Sequence, residues 1–144
     1  MIRFLIIFAF LLTLDQLIKL LFVGGFEAHS SCISLVLAYN HGVAFSMFSF
    51  LADSLKFIQL AVLVGIAVYL YFEKQIFKNF SFAIAFIFAG GISNIADRFM
   101  HGAVVDYVYW HCGFDFAIFN LADVLIDIGV VWILYKGYKN SKLT

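Results

Sequence analysis

The stretch FLIIFAFLLTLDQLIKLLFV, residues 4–23, decides how this chain is read. About 20 mostly apolar residues in a row are enough to cross the hydrocarbon core of a bilayer as a helix. Two of these residues are charged. Asp15 and Lys19 stand four apart and therefore share one face of a helix. A charge near the bilayer centre costs about 2.5–3.5 kcal/mol on insertion scales, so each requires a partner or a purpose. Arg3 before the apolar run also suits a secretory signal peptide. The interrupting charges, and the lack of a closely following small-x-small cleavage site, instead predict a retained membrane span.

Three more stretches have the same character: about 55–72, ending before Glu73-Lys74, about 80–97, and about 119–135. The whole composition agrees with them. Apolar residues make up 65% and charged residues only 12% of the 144, so a water-soluble surface cannot be assembled. The mean hydropathy is +1.03. The predicted fold is mainly α: a polytopic membrane protein of four transmembrane helices, one domain over 1–144. Arg3, Lys74, Lys78, Lys136, Lys139 and Lys142 lie outside the spans on one side, whereas loops 24–54 and 98–118 carry a single Lys or Arg, Arg98. That asymmetry puts both termini in the cytoplasm and both long loops outside. A net charge of zero offers no footprint for nucleic acid.

The outer loops read as β structure. Residues 31–50 alternate or run apolar around an Asn40-His41-Gly42 turn signal, predicting a strand hairpin or a small sheet lying on the membrane. Residues 103–110, AVVDYVYW, also have strand composition, with Tyr and Trp suited to the headgroup interface.

The polar residues of the spans gather at one depth. Asp15 and Lys19 fall in the outer half of the first helix. Asn94, Asp97 and Arg98 share a face at the outer end of the third, and Asn120 and Asp123 share one at the start of the fourth. Asp106 follows the third span closely. Ordinary structural roles suit several of these. Asp15 with Lys19 can be an internal ion pair, Asp97 with Arg98 a local charge pair capping a helix end, and Asn120 a helix cap. Asp106 and Asp123 have no Lys or Arg adjacent in sequence. Two carboxylates placed close together cannot easily both ionise, so one becomes an acid and the other a base at the same pH. Such a pair can activate a water against a carbonyl, as in aspartic proteases, without metal or nucleotide.

These residues fall in short segments that resemble those of lipoprotein signal peptidase (signal peptidase II), a membrane aspartic peptidase family. Asp15-Gln16-Leu17-Ile18-Lys19 resembles its Asp-Gln-x-x-Lys segment, and Asn40-His41-Gly42-Val43-Ala44-Phe45-Ser46 its Asn-x-Gly-x-Ala-Phe segment. Gly90–Arg98 resembles the Gly-Asn-x-x-Asp-Arg block. Val104-Val105-Asp106-Tyr107 and Phe119-Asn120-Leu121-Ala122-Asp123 resemble the two blocks that hold the catalytic aspartates. Five segments in order cover essentially the whole chain. The resemblance implies cleavage of prolipoproteins before a diacylglyceryl-modified cysteine, with Asp106 and Asp123 as the dyad. Asp15, Lys19, Asn40, Gly42, Asn94, Asp97, Arg98 and Asn120 would bind substrate or support the site. It further implies a monomer in the bacterial cytoplasmic (inner) membrane, surrounded by membrane lipid, its site facing outward, without cofactor or metal, and sensitive to globomycin-type inhibitors. The 24–54 loop would serve as a platform or lid.

Three positions depart from the family pattern. Ser93 stands where glycine is usual, and the stretch Phe116-Ala117-Ile118-Phe119 lacks the proline often found before Asn120. Asp127, one turn beyond Asp123, replaces a smaller uncharged residue; pairing with Lys19 and a protonated state are both open. Rival readings are a proton-coupled transporter, a metal enzyme and an assembly subunit. Against transport stand the lack of repeats or broken spans and the one-sided depth of the charges. His29-x-x-Cys32 and His111-Cys112 invite a zinc site but lack a matched second half. The two cysteines can equally form a disulfide in an oxidising compartment or stay free.

Overall fold

The computed structural model describes residues 1–42, 47 and 49–141. In chain order they form α1 (Ile2–Val23), β1 (Ala28–His29), β2 (Ile33–Asn40), a short 3-10 turn, α2 (Ala52–Phe72), α3 (Lys74–His101), β3 (Val104–Trp110) and α4 (Leu121–Ser141). By length and composition α1, α2 and α3 are apolar enough to cross a membrane. The fourth helix is present, but Asp123 and Asp127 at one end and Lys136 and Lys139 at the other shorten its apolar stretch.

The central helix is α3, which packs against α1, α2 and α4. Its buried face is built largely from small residues, among them Ala83, Ala85, Ala89, Gly90 and Ser93. Small side chains let helix backbones approach where no water-driven force pulls them together. At Gly90 the approach is tightest, for a Cβ there would collide with the backbone carbonyl of Ala122 on α4. The predicted third span begins at residue 80, and the helix departs from helical angles at Phe80 (φ −118°, ψ 16°). Residues 74–79 are nevertheless helical, extending α3 on the side away from the sheet. At the other end Gly102, at φ 73°, stops the helix and turns the chain into β3.

The two long loops, 24–54 and 98–118, do contribute a small sheet, antiparallel in the order β1-β2-β3. In it β2 pairs with β1 on one side and β3 on the other. Residues 43–46, on which the hairpin reading and part of the lid reading fall, lie outside the described residues. A disulfide joins Cys32, just before β2, to Cys112, just after β3.

Burial is inverted relative to a soluble protein. Phe10, Val131 and Leu134 are each more than 60% exposed, while Asp15 and Asn120 are 0% and Lys19 is 2% exposed. The apolar surface matches a lipid solvent, and the interior is polar at one end.

Candidate active site

The site is assembled where the sheet meets the adjoining ends of the helices. In the β2–β3 ladder Leu35 opposes Val108, but the next pair is Ala38 with Asp106, so β2 bulges by one residue between them. Beyond the bulge Ala38 and Asn40 lie on the same face as Val104 and Asp106, because directly opposed residues point the same way. The Asn40 side chain uses both ends of its amide. Its Nδ2 donates to Asp106 Oδ2 (3.1 Å), and its Oδ1 accepts from the Gly42 N–H (3.0 Å). Arg98 in turn donates to the Gly42 carbonyl, which ties the turn after β2 to α3.

The free edge of β3 holds the start of α4. Phe119 bridges to Val108, its carbonyl accepting from Val108 N–H at 2.8 Å and its N–H donating to the Val108 carbonyl at 3.1 Å. The segment before Asn120 therefore needs no proline to find its path. Asn120 caps α4 in a reciprocal box: its Oδ1 accepts from the Asp123 N–H (2.9 Å), and Asp123 Oδ2 accepts from the Asn120 N–H (3.1 Å). The Asn120 amide also donates to Asp106 Oδ1 (2.7 Å), so one side chain touches both candidate aspartates. Asp123 Oδ1 accepts from Asn94 Nδ2 (2.8 Å). The other exposed N–H groups of α4 are also satisfied, Leu121 by the Tyr107 hydroxyl (3.0 Å) and Ala122 by Asp15 Oδ1 (2.9 Å). Burial raises the Tyr107 hydroxyl to about 12, which keeps it neutral.

Behind this layer sits a buried ion cluster. Lys19 Nζ lies 2.9 Å from Asp15 and 2.7 Å from Asp97, and donates to Asn94 Oδ1 at 2.9 Å. Ser93 Oγ donates to Asp15 (2.5 Å) and accepts from Gln16 (2.7 Å), while Gln16 also donates to Asp97 (2.9 Å). Asp97 then accepts from the Val105 N–H at 3.1 Å, fixing the strand one residue before Asp106. The network links α1 and α3 to the start of β3 without leaving a buried charge unpaired.

Asp106 and Asp123 line one cavity of about 290 Å³, together with Asn40, Asn94 and Arg98. Neither aspartate forms an ion pair among the described residues. Burial pushes the Asp106 carboxyl up to about 7, helped by the charge of Asp123 and opposed by hydrogen bonds from Asn40 and Asn120.

All ten residues singled out from the sequence belong to this constellation, with one pairing reassigned. Arg98 does not pair with Asp97. It reaches the Gly42 carbonyl, and Asp97 faces Lys19 on α1, because adjacent residues on a helix point in different directions. The Asp15–Lys19 pair is formed as expected. Asp127 does not meet Lys19, which is buried between Asp15 and Asp97. It is exposed and lines the cavity. Gln16, Ser93 and Tyr107 also belong to the network, although no segment of the sequence assigns them a role in the site. Gln16 carries the same signal as Asp15, a polar residue within an apolar span. The disulfide occupies both cysteines, so neither offers the thiolate that a zinc reading of His29-x-x-Cys32 or His111-Cys112 needs.

Fold and site together define a multi-pass helical membrane protein with two carboxylates in a cavity beside a small sheet. Residues 7–139 match the family described as Signal peptidase (SPase) II. Among similar proteins, the lipoprotein signal peptidase of Sulfurimonas denitrificans is 54% identical over 126 residues, covering 88% of this chain and 81% of that protein. The lipoprotein signal peptidase of Wolinella succinogenes is 48% identical over 136 residues, covering 94% and 93% respectively. Two bacterial membrane enzymes solved by the in meso method share the fold. One has a TM-score of 0.82 at 26% identity, covering 96% of this chain and 89% of that one. The other has a TM-score of 0.76 at 27% identity, covering 93% and 91%. The chain belongs to the signal peptidase II family.

Proposed function

We propose that this protein is an aspartic endopeptidase that removes signal peptides from prolipoproteins, cleaving before the diacylglyceryl-modified cysteine. The observation that carries the reading is the pair Asp106 and Asp123, facing one cavity and joined through Asn120, with no ion-pair partner for either among the described residues. A carboxyl raised to about 7 holds its proton at the pH where an ordinary carboxylate has lost it, so Asp106 is the acid. Asp123 is the base. It takes a proton from a water whose oxygen attacks the scissile carbonyl carbon, while Asp106 gives its proton to the carbonyl oxygen. Collapse of the tetrahedral intermediate breaks the C–N bond. The proton on Asp123 passes to the leaving amine of the cysteine, and Asp106 recovers its own from the hydroxyl. Membrane anchoring of both partners supplies part of the orientation.

In this reading α4 is a fourth span, both termini are cytoplasmic, and the sheet lies at the outer surface of the bacterial inner membrane. The Cys32–Cys112 disulfide supports an oxidising compartment for the sheet side. Acyl chains of the substrate stay in the surrounding lipid while its peptide enters the cavity. A globomycin-type lipopeptide would compete there, and a single copy of the chain, without metal or cofactor, suffices.

The test is Asp106→Asn and Asp123→Asn, each assayed for cleavage of a lipidated precursor in membranes. Both are expected to insert and to yield no product. Full activity in either overturns the dyad.

A further inference from the structure

The cavity has polar walls that the dyad does not use. Gln59, on α2, lines it, and its Oε1 is buried without a hydrogen-bond partner among the described residues. A buried carbonyl oxygen with no donor is destabilising and rare in folded proteins. From α4, Asp127 also lines the cavity and is exposed. Asp127 lies one turn beyond Asp123 and Gln59 about two turns into α2, so both acceptors lie farther along the helices from the sheet than the aspartate pair.

A peptide bond can be attacked only where the chain is drawn out of its helix. A signal peptide that is helical in the membrane therefore exposes backbone N–H groups just before the cleaved bond. In a lipid surrounding each of these needs an acceptor. The part of the substrate that continues into the membrane leads away from the sheet, toward Gln59 and Asp127. We propose that Gln59 and Asp127 form a subsite that accepts hydrogen bonds from the backbone N–H groups of the substrate residues immediately preceding the cleaved bond. This rests on the endopeptidase reading above and assigns these two side chains to holding the unwound segment. They are positioning residues, since neither touches the reacting atoms in this scheme.

The experiment uses full-length enzyme in lipid and lipidated precursors in which one amide N–H at a time, at the three positions before the cysteine, is replaced by an ester oxygen. Wild-type turnover is expected to fall about tenfold for at least one of these esters, the effect of losing one hydrogen bond in a desolvated site. Gln59→Leu or Asp127→Leu is expected to show a similar fall on the all-amide substrate and no further fall on that ester, whereas Gln59→Glu, which keeps an acceptor, recovers most of the rate. An ester scan that leaves wild-type turnover unchanged at all three positions overturns the proposal without any variant. Losses that simply multiply between the leucine variants and every ester also overturn it. Retained activity in Asp106→Asn would sink the dyad instead, and leaves the ester scan readable.

Discussion

Asn40 and Asp106 meet because β2 carries one residue more than β3 between Leu35 and Ala38. With an unbroken register Asn40 would point to the opposite face, since a shift of one residue exchanges the two faces of a strand. The bulge thus aims the Asn40 amide at the carboxyl. Deleting Tyr39, between the Ala38–Asp106 and Asn40–Val104 pairs, should bring Asn40 opposite Val105 and turn it to the other face. Turnover of a lipidated precursor is expected to drop by about a hundredfold or more, as for other misplaced positioning groups. Unchanged activity would mean that the contact is incidental.

The raised carboxyl of Asp106 sets a pH dependence. Its ordinary value is 3.8 and its value in the fold about 7, so the folded state holds the proton more tightly than the unfolded state. The associated stability is full below about pH 4 and is lost as the pH rises to about 7. Thermal midpoints of the wild type should fall across that window, and those of Asp106→Asn should fall less. Under the proposed mechanism the kcat/KM profile should have a descending limb near pH 7, where Asp106 loses its proton. A profile flat through pH 9 would remove Asp106 from the role of acid.

Lys19 is the cation on which Asp15 and Asp97 both depend. Lys19→Met leaves two buried carboxylates facing each other and is expected to cost about 3–5 kcal/mol, as for other broken buried pairs. Combining it with Asp97→Asn should recover part of the loss. Thermal unfolding in detergent measures both, and equal stability of the single and double variants would deny the coupling.

The disulfide closes the sheet side of the molecule across a sequence separation of 80 residues. Replacing Cys32 and Cys112 by serine is expected to lower stability by about 2–4 kcal/mol. The loss should appear as earlier proteolysis of the sheet, while the helices still insert. Identical protease sensitivity with and without the bond would deny that it braces the sheet.

Much of this architecture was legible in the sequence, and the reasons are physical. Apolar runs long enough to cross a bilayer mark α1, α2 and α3, and the charged residues Asp15, Lys19 and Asp97 stand out within them because charge there is costly. The bulge was not legible, because Ser34–Ala38 reads SLVLA and carries no Gly or Pro to signal it. Sequence proximity pairs Asp97 with Arg98, whereas its partner in space is Lys19 on α1. In the sequence Ser93 is marked only by standing where glycine is usual, yet its hydroxyl bridges Asp15 and Gln16. The fourth helix begins at Leu121 rather than 119 because the backbone of Phe119 is taken up by β3. Contacts between elements distant in the chain decide each of these, and local periodicity does not report them.

The first turn of α4 is held by Tyr107, Asp15 and Asn120, all of which also belong to the network around the cavity. The amides of Leu121, Ala122 and Asp123 are therefore built-in gauges of that network. Their exchange with deuterium should slow when an inhibitor fills the cavity and quicken when Asp15 or Asn120 is truncated. Occupancy can then be read from the backbone of α4 in an enzyme with no product to follow.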